Sequence, residues 1–213
     1  KYSATNVVLA PTSIGAYSFY NCSSLNSVLY DKKLSSSQNE SVGEVAFGNC
    51  TNLTTVSLPQ NITSIGTGAF TNCTSLSDIS MPGVSIIEQA AFSGDTALKS
   101  IDLSDNIADI KEAAFSGTGL TSVVIPDSVT YVKNQVFLDC SELTEVTLPQ
   151  YLTMYAPAFD GCTKLKEITY KGTTYTSKSA LKAAMAQNGV TTPDRQSVGD
   201  YSGDLFAGTG LSD

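Results

Sequence analysis

Hydrophobic and polar positions along this chain repeat with a period of about 22 residues. In the copy Ile65–Pro82, apolar side chains stand at fixed places between polar ones, and most of the chain follows the same consensus, I-x-x-x-A-F-x-x-C-x-x-L-x-x-I-x-L-P. A self-similar period of this length is typical of solenoids, in which each unit stacks only on its neighbours. The pattern therefore predicts one elongated solenoid.

Phenylalanine marks the repeat most clearly. A first interval of 28 residues is followed by intervals of 22 or 23, and the residues concerned are Phe19, Phe47, Phe70, Phe92, Phe115, Phe137 and Phe159. One coil buries too few apolar side chains to fold alone, so each phenylalanine must pack on those of adjacent coils. We predict that this column is the structural spine of about seven coils.

Two local structures follow from the consensus. The L-x-x-I-x-L segment ends in period-two alternation, which predicts a β-strand that pairs in parallel with the next coil. Proline follows the strand directly in four copies and cannot donate a ladder hydrogen bond, so it ends the strand there. The A-F-x-x-C segment is short and predicts a turn of helix or a 3₁₀ piece.

The repeats predict two parts, a solenoid over residues 1–171 and a C-terminal capping segment over 172–213. Residues 1–11 hold a partial copy, and residues 31–41, DKKLSSSQNES, are an insertion that we expect to be a loop at the edge of the solenoid. In the capping segment, YKGTTY predicts a hairpin, 177–188 predicts a short helix, and an acidic Gly/Ser-rich tail follows. The chain opens on lysine, so either a leader has been removed or this is a piece of a longer protein.

Composition narrows the function. A net charge of −8 disfavours nucleic acid and anionic membranes as partners, and the apolar runs are too short to insert into a bilayer. The chain has no histidine, so it lacks the commonest general base and zinc ligand. We expect no cofactor and no metal. Each of the five cysteines lies three residues after a phenylalanine, which predicts buried free thiols, with a disulfide between stacked neighbours such as Cys50 and Cys73 as the alternative.

The repeat pattern over residues 5–171 resembles the BspA-like leucine-rich repeats. This resemblance implies a right-handed leucine-rich-repeat superhelix with parallel strands on its concave face. It also implies a secreted or cell-surface, non-catalytic protein that binds a host matrix protein or another cell, and it carries no catalytic residues. We expect the module to be a monomer.

Outward-facing strand positions give the candidate binding face. They form two columns of small hydroxyl and acidic side chains, from which we select Asp78, Ser80, Asp102, Glu145, Thr147, Glu167 and Thr169. Ser and Thr columns also suit a merely solvated sheet. No aromatic side chain occurs in these columns, which argues against a dedicated lectin.

One catalytic alternative arises from the same face. Glu145 and Glu167 occupy equivalent positions on successive coils and should lie about 5 Å apart, the spacing of the two carboxylates in a retaining glycosidase. Such a pair needs two different environments, and the repeat gives both residues the same one. We therefore predict a binding module, with a structural spacer that displays another domain as the first alternative and a glycan-binding or glycan-processing protein as the remote one.

Six asparagines fit the acceptor pattern N-x-[ST]. They are Asn21, Asn39, Asn49, Asn52, Asn61 and Asn72. Because several arise from the repeat itself, they are weak evidence for glycosylation.

Overall fold

The computed structural model describes residues 5–10, 12–30, 38–155, 157–190 and 204–213. The chain forms a parallel-strand β-solenoid of about seven turns, which confirms the predicted fold class. Most of the predicted insertion loop, residues 31–37, lies outside the described residues, as do residues 191–203 of the tail.

The described residues contain fourteen short strands and one helix. They are β1 Asn6–Leu9, β2 Ser27–Tyr30, β3 Glu40–Val42, β4 Thr55–Ser57, β5 Ile62–Ile65, β6 Asp78–Ser80, β7 Ile86–Ile87, β8 Asp109–Ile110, β9 Ser122–Val124, β10 Tyr131–Val132, β11 Glu145–Thr147, β12 Thr153–Met154, β13 Glu167–Tyr170, β14 Thr173–Tyr175 and α1 Lys178–Gln187.

The predicted strands form what we call the strand face. It consists of a parallel sheet β1–β2–β4–β6 and a second sheet β9–β11–β13, to which β14 adds an antiparallel edge. Between the two sheets, residues 100–103 of the fourth coil form no strand. Within the described part of the chain, no backbone hydrogen bond joins these four residues to a neighbouring coil. The strand face is therefore interrupted once, near its middle.

A second set of strands was not predicted. The sheets β3–β5–β7–β8 and β10–β12 arise from the apolar position five residues before each phenylalanine. In this set Val42 pairs with Ile65, Ile65 with Ile87 and Ile87 with Ile110, all parallel and all buried. These strands mostly have two to four residues, too few to show an alternating pattern in the sequence.

The prediction of a helical turn at A-F-x-x-C is wrong. The segment and the residue before it form a turn with two left-handed residues in each of the first six coils, such as Val45 with φ 50° and Asn49 with φ 59°. Alternate amides point at the next coil: that of Phe47 donates to the Ala69 carbonyl at 2.7 Å, and that of Asn49 to the Thr71 carbonyl at 2.8 Å. A helix would satisfy these groups within the segment, whereas here they extend the ladder from coil to coil.

This geometry explains several of the asparagines. Asn21, Asn49 and Asn72 stand two residues after phenylalanine with φ between 58° and 59°, and Gly94 and Gly117 hold the same place in later coils. Asparagine and glycine adopt the left-handed region most readily, so the turn accounts for these residues without glycosylation.

The core is a column of aromatic rings along the solenoid axis. The seven repeat phenylalanines stack with centroids 5.0–5.6 Å apart and planes within 11° of parallel. All but Phe19 at the N-terminal end are fully buried. The neighbouring cysteines are unpaired, as predicted, and four of the five are buried. Each buried thiol lies beside a phenylalanine carbonyl of the preceding coil, as Cys73 Sγ does at 3.2 Å from Phe47 O.

The tail returns to the repeat, which the sequence analysis missed. Residues 206–211, FAGTGL, copy residues 115–120, FSGTGL, and Phe206 adds an eighth ring with its centroid 6.4 Å from that of Phe159. The hydroxyl of Thr209 donates to the Phe206 carbonyl at 2.8 Å, as that of Thr118 does to Phe115 at 2.9 Å. The final residues are thus half a coil, separated from the seventh by β14, α1 and residues 188–203.

Helix α1 packs beside this half coil at the end of the solenoid. Ser177 caps its start by accepting a hydrogen bond from the Ala180 amide at 3.4 Å, and Leu181 and Met185 are buried beneath it. Ser177 also forms a parallel bridge with Ser212. Both pieces cover the last coil, which a solenoid needs at each end of its core.

Replacing Phe206 with alanine should lower the free energy of unfolding by about 3 kcal/mol, at the low end for a buried phenylalanine because its ring has one aromatic neighbour. Hydrogen exchange should speed up in the seventh coil and not in the third. Leu205→Ala, a change at a half-buried neighbour, serves as the control. Unchanged exchange in the seventh coil would show that the tail does not cap the solenoid.

Candidate binding surface

The strand face presents the predicted residues to solvent. Asp78 and Ser80 are exposed on β6, Asp102 is exposed in the interruption, and Glu145 and Glu167 are exposed on β11 and β13. Thr147 and Thr169 are half-exposed beside them. Their strand neighbours Ile79, Val146 and Ile168 point inward and are buried. The structure thus gathers the set in two groups, separated by the unpaired fourth coil.

Glu145 and Glu167 are directly paired in register across β11 and β13. A shallow depression of about 350 Å³ adjoins both carboxylates and is lined also by Thr144, Lys164 and Lys166. Both glutamates are exposed to solvent, so burial does not raise the pKa of one above that of the other. Acid–base catalysis by two carboxylates requires unlike environments, so this pair is a pair of surface charges.

A larger groove runs along the carboxyl ends of the second group of strands. This strand-end groove has a volume of about 630 Å³, is open to solvent, and crosses the fourth to seventh coils. The lining residues that define it are Asp105, Val124, Asp127, Thr147, Thr169 and Lys171. It begins where the strand face ends, so Val124, Thr147 and Thr169 belong to both.

The charges of the strand-end groove are held in place. The Asp127 carboxylate accepts hydrogen bonds from the Gln150 amide nitrogen of the backbone at 2.8 Å and from its side chain at 2.9 Å. At the other end, Lys171 donates to Asn188 Oδ1 at 2.9 Å, and its Nζ lies 5.1 Å from the centroid of the Tyr151 ring. The groove is therefore acidic at one end and basic at the other.

Exposed tyrosines form a feature that sequence reasoning missed. Tyr131 and Tyr151 are exposed by 48% and 73%, and Lys133 Nζ lies 4.8 Å from the Tyr131 ring centroid. Both tyrosines lie outside the strand face, on or just before the second set of strands. Their outward position follows from the second set of strands, which the repeat pattern in the sequence did not reveal.

Asp95 stands three residues after Phe92, at the place that cysteine holds in five other coils. It is fully buried, one carboxylate oxygen accepts a hydrogen bond from the Cys73 amide at 2.8 Å, and the other has no partner. Burial raises the pKa of this carboxyl well above its usual value. It lies in the core, away from both surfaces, so its effect is on stability.

Two kinds of feature are absent from the described ranges. No cluster of three or more histidine, cysteine, aspartate or glutamate side chains there is suited to a metal ion. No helix within those ranges is long and apolar enough to cross a bilayer.

Solved structures of other proteins share this fold. The leucine-rich repeat protein TpLRR of T. pallidum is 25% identical to this chain in sequence. Its crystal structure matches with a TM-score of 0.58, and the match covers 90% of this chain and 86% of that one. The pneumococcal vaccine antigen PcpA shares the fold, with 17% identity and a TM-score of 0.56 over 80% of this chain and 52% of that one.

No curated protein matches the sequence. The sequence model of the BspA type leucine rich repeat region matches residues 3–94 and 82–186, most of the chain. The protein therefore belongs to the BspA type leucine-rich repeat family.

Proposed function

We propose that this chain is a non-catalytic protein-binding and adhesion module of the cell surface or extracellular space, and that it binds through its strand face. The observation that carries the proposal is the outward display of acidic and hydroxyl side chains on a stacked, hydrogen-bonded frame. Proteins of this family are typically surface modules that bind other proteins.

The frame supports binding because it holds the face before a partner arrives. Each strand is bonded to its neighbours within its sheet, and the stacked rings below it are fully buried from Phe47 to Phe159. A pre-formed surface loses little conformational freedom on association, which leaves more of the contact energy for affinity. Such a surface suits a single copy of the chain that recognises a folded protein.

The charge of the strand face indicates which partner surfaces are complementary to it. Four of the seven selected residues are acidic, and the whole chain carries a net charge of −8. Complementary charge speeds encounter and excludes partners of like sign. The preferred partner is therefore a protein with a basic patch, such as a matrix protein or a component of another cell's surface.

The experiment removes the acidic set. Substituting Asp78, Asp102, Glu145 and Glu167 with alanine should weaken attachment to immobilised matrix proteins or whole cells by about tenfold or more, since each lost charge contact contributes a few tenths of a kcal/mol or more. The control replaces four acidic residues off this face with alanine, namely Glu44, Glu88, Asp109 and Asp160. Circular dichroism and the melting temperature show whether both variants remain folded.

A structural spacer is the second candidate, favoured by the ring column that runs the whole length of the solenoid. A folded strand-face variant that attaches as well as the wild-type protein would favour this spacer. Equal losses in both variants would show that net charge, rather than the strand face, governs attachment.

A further inference from the structure

We propose that the strand-end groove binds an extended peptide segment of about five residues, with a basic residue at one end and an acidic residue at the other. This inference rests on the proposed protein-binding function and adds a second, more specific contact site to it. The selected strand-face set and the groove share Thr147 and Thr169 alone, so their contributions can be separated.

The length of the peptide follows from the coil spacing. Asp105 belongs to the fourth coil and Lys171 follows the strand of the seventh, so three steps of about 4.8 Å separate their levels, or about 14 Å. An extended chain advances about 3.3 Å per residue, so about four peptide steps connect the two ends. A volume of about 630 Å³ lies in the ordinary range of ligand sites, about 300–1,000 Å³.

The charges fix the chemistry at each end. Asp105 and Asp127 come from adjacent coils at the acidic end, where a guanidinium or ammonium group would meet two carboxylates. Asp127 already accepts two hydrogen bonds and keeps lone pairs for a third partner. Lys171 marks the basic end, where contacts with Asn188 and the Tyr151 ring hold it. Because Asp127 and Lys171 are held before binding, the ordering cost is reduced.

The floor of the groove favours a peptide over a sugar. Val124, Thr147 and Thr169 are paired in register across β9, β11 and β13, and Val124 is 63% exposed. These β-branched side chains offer methyl groups to alternate side chains of an extended peptide. None of the groove's lining residues is aromatic, whereas sugar recognition relies on aromatic ring faces. The exposed tyrosines lie beyond its lining.

The test uses fluorescein-labelled pentapeptides with both orders of charge, because charge alone sets the direction of the bound chain. The probes are Arg-Val-Ser-Val-Glu, its reverse Glu-Val-Ser-Val-Arg, and the neutral Gln-Val-Ser-Val-Gln, measured by fluorescence anisotropy with the full chain. We expect both charged probes to bind about tenfold more tightly than the neutral one, because either chain direction can place the arginine at the acidic end and the glutamate at the basic end. Asp105→Lys should weaken both charged probes by about tenfold, since it reverses a charge in direct contact.

Two matched variants sharpen the result. Glu44→Lys also reverses one charge, at an exposed residue outside both the groove and the strand face, and should alter affinity by less than about threefold, because exposed charges act weakly at a distance. The double variant Asp105→Lys with Lys171→Glu reduces the polarity of the groove, which should abolish the advantage of the charged probes over the neutral one. Circular dichroism verifies the fold of each variant.

The outcomes separate this inference from the proposed function. Equal binding of all three probes, or equal effects of Glu44→Lys and Asp105→Lys, would overturn the groove proposal whatever the attachment assay shows. If attachment depends on the strand-face set while no peptide binds selectively, the module binds proteins without this groove. If a charged probe binds selectively while attachment is unaffected by the strand-face variant, the groove proposal stands and the strand-face proposal fails.

Discussion

Replacing Phe92 with alanine should lower the free energy of unfolding by about 3–5 kcal/mol, the range for a large buried side chain whose cavity cannot collapse. The ring is fully buried, with its centroid 5.4 Å from those of both Phe70 and Phe115. In a solenoid each coil contacts only its neighbours, so the loss falls on the two interfaces that hold the halves of the molecule together.

Urea denaturation followed by circular dichroism measures this loss. Phe19→Ala is the matched control, because that ring is half-buried and stacks on Phe47 alone. Phe19→Ala should lower the free energy of unfolding by less than half as much as Phe92→Ala. If Phe92→Ala unfolds cooperatively near the wild-type temperature, the ring column is not the spine of the fold.

Replacing Asp95 with asparagine should stabilise the protein at neutral and alkaline pH. The asparagine oxygen can still accept the hydrogen bond from the Cys73 amide, which is 2.8 Å from Asp95 Oδ1. The second oxygen of Asp95 is buried without a partner, so ionising this carboxyl within the fold is unfavourable. Asparagine removes the charge and keeps the shape.

The sign of the pH effect follows from the raised pKa of Asp95. A carboxyl whose pKa is higher in the folded state favours folding at pH values below its unfolded pKa. That contribution is lost as the pH rises toward the folded pKa. Wild type should therefore lose stability relative to Asp95→Asn by up to about 1.4 kcal/mol per pH unit above about pH 4.

Denaturation of both proteins from pH 3.5 to pH 9 tests this. Subtracting one free energy of unfolding from the other removes the contribution of the remaining carboxyl groups, which both proteins share. Asp95→Cys, which restores the consensus residue, should also be more stable than wild type at high pH. The equivalent thiol of the preceding coil, that of Cys73, lies beside a phenylalanine carbonyl. A difference that stays constant with pH would mean that Asp95 does not titrate as a buried group.

The fourth coil concentrates the departures from regularity. Asp95 lies at its start, residues 100–103 form no strand, and Ser104 Oγ is buried without a partner. The second set of strands also divides next to it, between β8 and β10. The turn ladder and the ring column continue through this point, with the Phe92 amide bonded to Ala114 O at 2.8 Å. The two interruptions lie one coil apart, so at each of them the turn ladder and the other set of strands still join adjacent coils.

Part of the candidate surface was accessible from the sequence. Period-two alternation identifies which strand residues point outward, so Asp78, Glu145 and Glu167 could be assigned to one face. The equal spacing of the repeats also predicts the register between Glu145 and Glu167, because one period advances the chain by one coil. The groove could not be found this way, since it depends on how far the strands extend and where each chain segment turns.

The C-terminal half coil shows a different limit. The copy FAGTGL at 206–211 is as clear as its counterpart at 115–120, but it comes 47 residues after Phe159. An inserted hairpin and helix break the period, so a search for fixed intervals passes over it. Only the stacked position of Phe206 on Phe159 identifies it as part of the column.

The sequence by itself determined the solenoid, its seven full coils and the repeated apolar columns of its core. It could do so because burial in stacked coils imposes the same apolar positions on every repeat. Tertiary structure decided what the repeat leaves open: the left-handed turns that replace a helix, the second set of strands, the break at the fourth coil and the strand-end groove. These depend on hydrogen bonds between coils, which the backbone of almost any residue can make and which therefore leave little trace in residue type.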